Sequence, residues 1–280
     1  MLNFQLFRIK VHPSQPRDLF KTEKTRPEML RETIASLPAG EFRAGLTWHV
    51  GNVIPIDHAG LYFRFGRTST STLEIYDQKM GSFVDQEFET APYTHIVVDI
   101  EMELSAIARK PRLSPTTSGI ARQLMRLLNE SKKAVEFEAT FEIDDIKDPE
   151  DFISHLKRAY SISKFSVFFS RLNAFDANKD FVKPLQGLLE ASNGEKGKAE
   201  LKGKALKSEI LEAVARSAAA TGDDATALIR PDMEAAPVMK RLRGSAAVIS
   251  QEGVADKKEQ RQLLERVRTL YRKIRGEGGQ

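Results

Sequence analysis

A chain of 280 residues, 41% hydrophobic and 29% charged, can bury one large core or two ordinary ones and lacks the composition of a disordered polymer. No stretch reaches the roughly 20 apolar residues of a membrane-spanning helix, and the absence of cysteine excludes disulfides, thiolate catalysis and sulfur-ligated zinc. The net charge is only +4, but Lys257–Arg275 holds eight Lys or Arg against two Glu, a local +6 that concerns partners rather than fold.

The opening "MLNFQLFRIKVH" reads as a first strand. It has neither the continuous apolar run nor the small-residue cleavage site of a signal peptide, which fits a cytoplasmic protein. After a polar loop over residues 13–26, "TRPEMLRETIASLPAG" carries a capping-box spacing at Thr25 and Glu28, with Pro27 in the opening turn, and predicts a helix ended by Pro38 and Gly40. "GLTWHVGNVIPIDHAGLYFRFGRTSTSTLEIYD" and "SFVDQEFETAPYTHIVVDIEMELSAIA" alternate apolar with polar residues between Gly and Pro breaks, the mark of antiparallel strands. A helix over residues 116–129 follows, with Ile120, Leu124, Leu127 and Leu128 on one stripe.

Beyond residue 130 the elements alternate. "AVEFEATFEIDDI" predicts a strand, "DPEDFISHLKRAY" a helix with Asp148 as cap and Pro149 in its first turn, and "SKFSVFFSRL" a strand. A helix over residues 179–191, a Lys/Gly segment, an alanine-rich helix over 208–220, short strands at "ATALIR" and "GSAAVIS" and a long basic helix complete the order. The expectation is an α+β protein. Residues 1–130 form a strand-rich region. Residues 131–280 form a ferredoxin-like or related α/β sandwich ending in a basic amphipathic helix, or else both parts form one continuous domain.

Three groups of residues bear on chemistry. Read as one strand, residues 94–104 put Asp99, Glu101 and Glu103 on one face, and residues 135–143 repeat the pattern with Glu136, Glu138 and Glu142. Carboxylates two apart on a strand lie about 7 Å apart, too far for neighbours to grip one Mg²⁺ unaided. Pairing with Arg8, Lys10 and Arg64 on neighbouring strands explains the stripes more cheaply. If the chain is a metal-dependent nuclease, Asp99 and Glu101 with Lys110 as charge stabiliser are its first suspects. His49 and His58 flank "VGNVIPID", and a hairpin there would bring two imidazoles together beside Asp57. The Gly-Lys pairs of "SNGEKGKAELKGKALK" do not match a phosphate loop, since Ala199 follows Lys198 and Ser192 stands where the first Gly belongs. Their lysines fit a phosphate backbone or a solvated hairpin.

The C-terminal helix carries an apolar stripe of Leu263, Leu264, Val267, Leu270, Tyr271 and Ile274, and another face of Arg261, Arg268, Arg272 and Arg275. Arginine's fork suits phosphate, and six such cations, each neutralising one phosphate, make log K fall by roughly 5 per tenfold rise in salt. Lys240, Arg241 and Arg243 of "MKRLRGS" form a second cluster ahead of Gly244, where backbone is free to approach a phosphate. Aromatics interleaved with Arg in "FRFGRTSTST" resemble base-stacking sheets without matching their motif.

These features predict a cytoplasmic nucleic-acid-binding protein, of RNA or DNA, without catalysis, cofactor or membrane association. It would be a homo-oligomer or a subunit of a bacterial assembly, and phage defence is a context that suits it. The alternatives are the Mg²⁺-dependent nuclease and an oligomeric assembly protein that binds no nucleic acid.

Overall fold

The computed structural model describes residues 1–13, 24–170, 188, 189, 191, 192, 194 and 196–277. The chain is α+β, with antiparallel sheets and, among the described residues, a helix at its C-terminal end. It divides into two compact units. The first takes Met1–Phe4, Val11–Ile143 and Ser250–Arg261, and the second takes Gln5–Lys10, Asp144–Ile249 and Gln262–Gln280.

The first unit is built on strands β2 (Ala39–Arg43), β3 (Leu46–Pro55), β4 (Gly60–Asp77), β5 (Ser82–Thr90), β6 (Tyr93–Asp99) and β7 (Leu104–Ala108). Their order is β7-β6-β4-β3-β2, and β5 pairs only with the outer half of β4. Strand alternation turns Trp48, Phe63, Phe65, Ile96, Val98 and Ile107 inward, and Trp48 stacks on Phe65 with centroids 4.9 Å apart. Helix α1 (Arg26–Ala35) begins with the capping box expected of Thr25 and Glu28 and packs on β3 through its buried Leu30 and Ile34. Helix α2 (Thr117–Asn129) is capped by the Thr116 hydroxyl and lays Ile120, Leu124 and Leu128 against β7. Each such buried leucine or isoleucine contributes about 1.5–3 kcal/mol.

Two expected strands are shorter than their alternation implied. Residues 94–108 are a hairpin in which Ile100–Glu103 form the turn between β6 and β7. The Asp99 carboxylate accepts the Met102 amide at 2.8 Å, and Glu103 occupies the left-handed region at φ 48°. Apolar–polar alternation ran on through the turn because no Gly, Asn or Pro marks it. Residues 132–136 are helical, α3 (Lys132–Glu136), and β8 (Ala139–Asp145) starts only after Glu138, again at φ 48°. The acidic stripes of single strands therefore do not exist as read.

Strand β1 (Leu2–Pro13) pairs with β8 and with β13 (Val248–Gln251). Of the cations expected to pair across strands, Lys10 on β1 meets Asp144 at 2.8 Å, and the His12 Nε2 lies 3.4 Å from Glu142.

The second unit holds a four-stranded antiparallel sheet in the order β10-β9-β11-β12: β9 is Ser161–Ser170, β10 Lys196–Lys202, β11 Ala225–Arg230 and β12 Val238–Arg241. Helices α4 (Glu150–Arg158) and α5 (Ser208–Thr221) lie together on one face. Ala215, Ala218 and Ala219 of α5 let it approach closely, and Phe165, Val167, Ala225, Ala227 and Ile229 close the core beneath. Lys157 reaches Glu212 at 2.9 Å, and Arg216 spans Glu150 and Glu212 at 2.8 and 2.9 Å, tying the two helices. The Asp148 carboxylate accepts the Glu150 amide at 3.0 Å, but the N-cap position of α4 is held by Pro149 without a side-chain cap bond, one residue later than expected. The helix expected over residues 179–191 lies for the most part outside the described residues. No helix among the described residues is long and apolar enough to cross a membrane.

Candidate nucleic-acid interface

With α4 and α5 on one side of the second unit's sheet, strand alternation sends the intervening residues to the other side. On β9 these are Lys164, Ser166 and Phe168, and their cross-strand partners in β10 are Lys202, Glu200 and Lys198. On the other flank Ser166 pairs with Thr226, and Thr226 with Arg241. The row Glu200–Ser166–Thr226–Arg241 thus crosses all four strands. A register shift at Leu228/Ile229, where Lys164 and Ile162 are the successive partners in β9, keeps Ile162 buried while Lys164 stays on the open face.

The open face is concave. A cavity of about 480 Å³ is lined by Lys147, Lys164, Phe168, Lys198, Arg241 and Arg243, among others. Phe168, on the inner strand β9 one residue past its last pair with β11, is 40% exposed, and Met239, which also lines the cavity, is 45% exposed. The Lys198 ammonium stands 5.6 Å from the Phe168 ring centroid. Two carboxylates temper the charge. Asp224 pairs with Lys147. Glu200 receives Lys164 and Lys198 at 3.0 Å each, Lys202 at 3.1 Å and the Ser166 hydroxyl at 3.2 Å. Hydrogen bonds from Lys164, Lys198 and Lys202 hold the Glu200 carboxyl far below the usual carboxylate range. With Lys202 counted, six cations face two carboxylates, an excess of four positive charges on one sheet surface.

Of the residues singled out in the sequence, Arg241 and Arg243 line this cavity and are exposed. Lys240 does not join them: it pairs with Ala227, whose face is the buried one. Gly244 is required by the fold, since a Cβ there would lie 1.9 Å from the Asp148 carbonyl oxygen. Arg261 and Arg272 are exposed on helix α6 (Lys257–Arg275), whose Leu263, Leu264, Val267, Tyr271 and Ile274 are buried. Arg268 and Arg275 are largely covered, their side chains 12% and 14% exposed, and bind Glu265 at 2.6 Å and Glu277 at 2.9 Å. None of the helix arginines lines the cavity.

The carboxylates first suspected of metal binding are not assembled. Asp99 is buried in its turn, Glu101 is exposed with His58 at 3.8 Å, and Lys110 lies beyond the far end of β7, about 17 Å of strand away. His49 and His58 are at opposite ends of the β3–β4 hairpin: His49 meets Thr68 at 3.2 Å, while Asp57 accepts the Ala59 and Gly60 amides at 2.9 and 2.6 Å. Among the described residues no group of three or more His, Asp or Glu is placed to hold a metal ion.

Lys164, Ser166 and Phe168 were missed as site residues, whereas Lys198 and Lys202 belong to the Lys/Gly segment whose lysines fitted a phosphate backbone or a solvated hairpin. "SKFSVFFS" reads as a core strand, and only knowledge of which face the helices cover separates Phe168 from Phe165. A Lys two before a Ser and four before a Phe was the available signal. No protein-family model matches this chain, and no curated protein matches it.

Proposed function

We propose that the protein binds single-stranded nucleic acid on the open face of its second unit's sheet. The observation that carries this reading is Phe168, exposed on the inner strand β9 with Lys198 over its ring and lining one cavity with Lys164, Arg241 and Arg243. An aromatic platform offers a stacking surface to an unpaired base, and cations spaced across strands about 4.8 Å apart follow a phosphate backbone. The sheet is about 14 Å wide over its four strands, room for a short stretch of extended strand. A duplex would present no unstacked base to Phe168. The ferredoxin-like layering expected for this half is a proposal on the same footing, supported by two helices on one face of an antiparallel sheet. Arg261 and Arg272 on the amphipathic C-terminal helix are further phosphate contacts in this reading. With Asp99 taken up by a turn and Lys110 remote from it, no observation favours the nuclease alternative.

Fluorescence anisotropy with labelled oligo-dT, oligo-rU and a duplex, measured from about 50 to 300 mM salt, tests the proposal. Expected is tighter binding of the single strands, weakened by Phe168→Ala and by Arg241→Glu. Binding equal to wild type in both variants would remove the face from the reading.

A further inference from the structure

The outer part of β4 and all of β5 form a two-stranded arm, residues 69–90, that pairs with no other strand. Its register makes it two-faced. Leu73, Ile75, Val84 and Phe88 share one face with Asp77, Gln86 and small polar residues, whereas Glu74, Asp85, Glu87 and Glu89 share the other with Thr70, Thr72, Tyr76 and Phe83. Tyr76 and Phe83 stack edge to face near the tip, 5.1 Å between centroids, yet are 54% and 81% exposed.

An isolated hairpin of this kind is marginal in water, and this one is built against itself. Glu74 and Asp85 stand directly opposite one another, an arrangement that destabilises a strand pair. Neither strand of the arm contains Lys, Arg or His, and none of the four carboxylates has an ion-pair partner among the described residues. Large exposed aromatics beside uncompensated like charges describe one half of an interface.

We propose that this arm docks on the cationic sheet face of a second copy of the chain. Charge complementarity selects that occupant. The arm carries five carboxylates, four of them on one face, against Lys79 in its turn, a net of four negative charges, with an aromatic tip. The sheet face presents an excess of four positive charges around an open cavity with Phe168 and Met239 exposed in it. Residues 69–90 also suffice in number, since one side of a standard interface uses about 20–30 residues. Because arm and face are different surfaces, the contact is head-to-tail. Repetition closes it into a ring or extends it as a filament. Nucleic acid and the arm then compete for one surface. The docking itself requires only the charge of that face, not the nucleic-acid reading.

The test is a charge swap on nuclease-treated full-length protein, followed by sedimentation velocity. One variant reverses the arm (Glu74→Lys, Asp85→Lys, Glu87→Lys), and the other reverses the face (Lys198→Glu, Arg241→Glu, Arg243→Glu). All six positions are exposed, and far-ultraviolet circular dichroism confirms the folds. At about 50 mM salt the wild type is expected to exceed its 31.4 kDa monomer mass as concentration rises and to fall back to it at about 0.5 M salt. Each variant alone stays monomeric, and an equimolar mixture reassociates, because the positive arm of one meets the negative face of the other. A monomeric wild type, variants that associate as wild type does, or a mixture that stays monomeric each overturns the proposal. The arm-reversed variant keeps its oligonucleotide affinity if the face binds nucleic acid. Loss of assembly and failure of nucleic-acid binding are thereby read separately.

Discussion

Glu200 and Lys164 meet at 3.0 Å on the open face of the four-stranded sheet, and the same carboxylate gathers Lys198 and Lys202. Glu200 therefore acts as a brake on the surface's positive potential. Glu200→Gln is expected to tighten oligonucleotide binding about two- to fivefold at low salt, the worth of an exposed ion pair. Anisotropy titration reads this directly.

The same carboxylate fixes a pH dependence. Its folded-state pKa is depressed, first of all by the hydrogen bond from Lys164. The stabilisation it supplies is therefore complete above the unfolded carboxylate range and is lost only as pH falls through the depressed value. Between pH 5 and 8 Glu200 stays ionised. The gain from Glu200→Gln is expected to be the same at both ends of that window, and a gain that vanished at pH 5 would contradict the assignment.

Phe168→Ala separates stacking from charge. Loss of a base–aromatic stack weakens single-strand binding by about 1–3 kcal/mol, and the salt dependence is left unchanged. Arg241→Ala does the reverse, lowering the slope of log K against log salt by about 0.7. Because both side chains are exposed, thermal midpoints of the two variants are expected near wild type.

Lys10 is nearly buried between Asp144 at 2.8 Å and Asp223 at 3.9 Å. Asp144→Ala removes the nearer of these two carboxylates from a nearly buried ammonium. We expect a loss of about 2–3 kcal/mol, less than for a fully buried pair because Asp144 is part exposed. Lys10→Met removes the buried charge itself and is expected to stay within about 1 kcal/mol of wild type. Urea unfolding midpoints distinguish the two.

Gly244→Ala tests a backbone contact. The added methyl would sit 1.9 Å from the Asp148 carbonyl oxygen, so one segment must move away. The bridge that joins Lys147 to Ala246 is beside it. A loss of more than about 2 kcal/mol is expected, and a neutral substitution would show that the approach is not needed.

Where residues carry their own local signal, the sequence alone determined the outcome. Thr25 and Glu28 capped α1 as read, Thr116 opened α2, and Leu263, Leu264, Val267, Tyr271 and Ile274 of the C-terminal stripe were buried, Leu270 only in part. Each of these depends on neighbours within a turn or two. Alternation determined the strands but not their ends: residues 94–108 kept a period of two through a turn whose left-handed position is held by Glu103 instead of glycine. What only the tertiary structure decided is which face of a strand meets water. Phe165 and Phe168 are alike in sequence, yet α4 and α5 cover the first and leave the second open. Lys240 and Arg241 are neighbours that point to opposite sides of β12. The period of a strand is a property of the local chain, but the side on which a helix comes to rest is set by residues far away in sequence, and the candidate site lies on the side left bare.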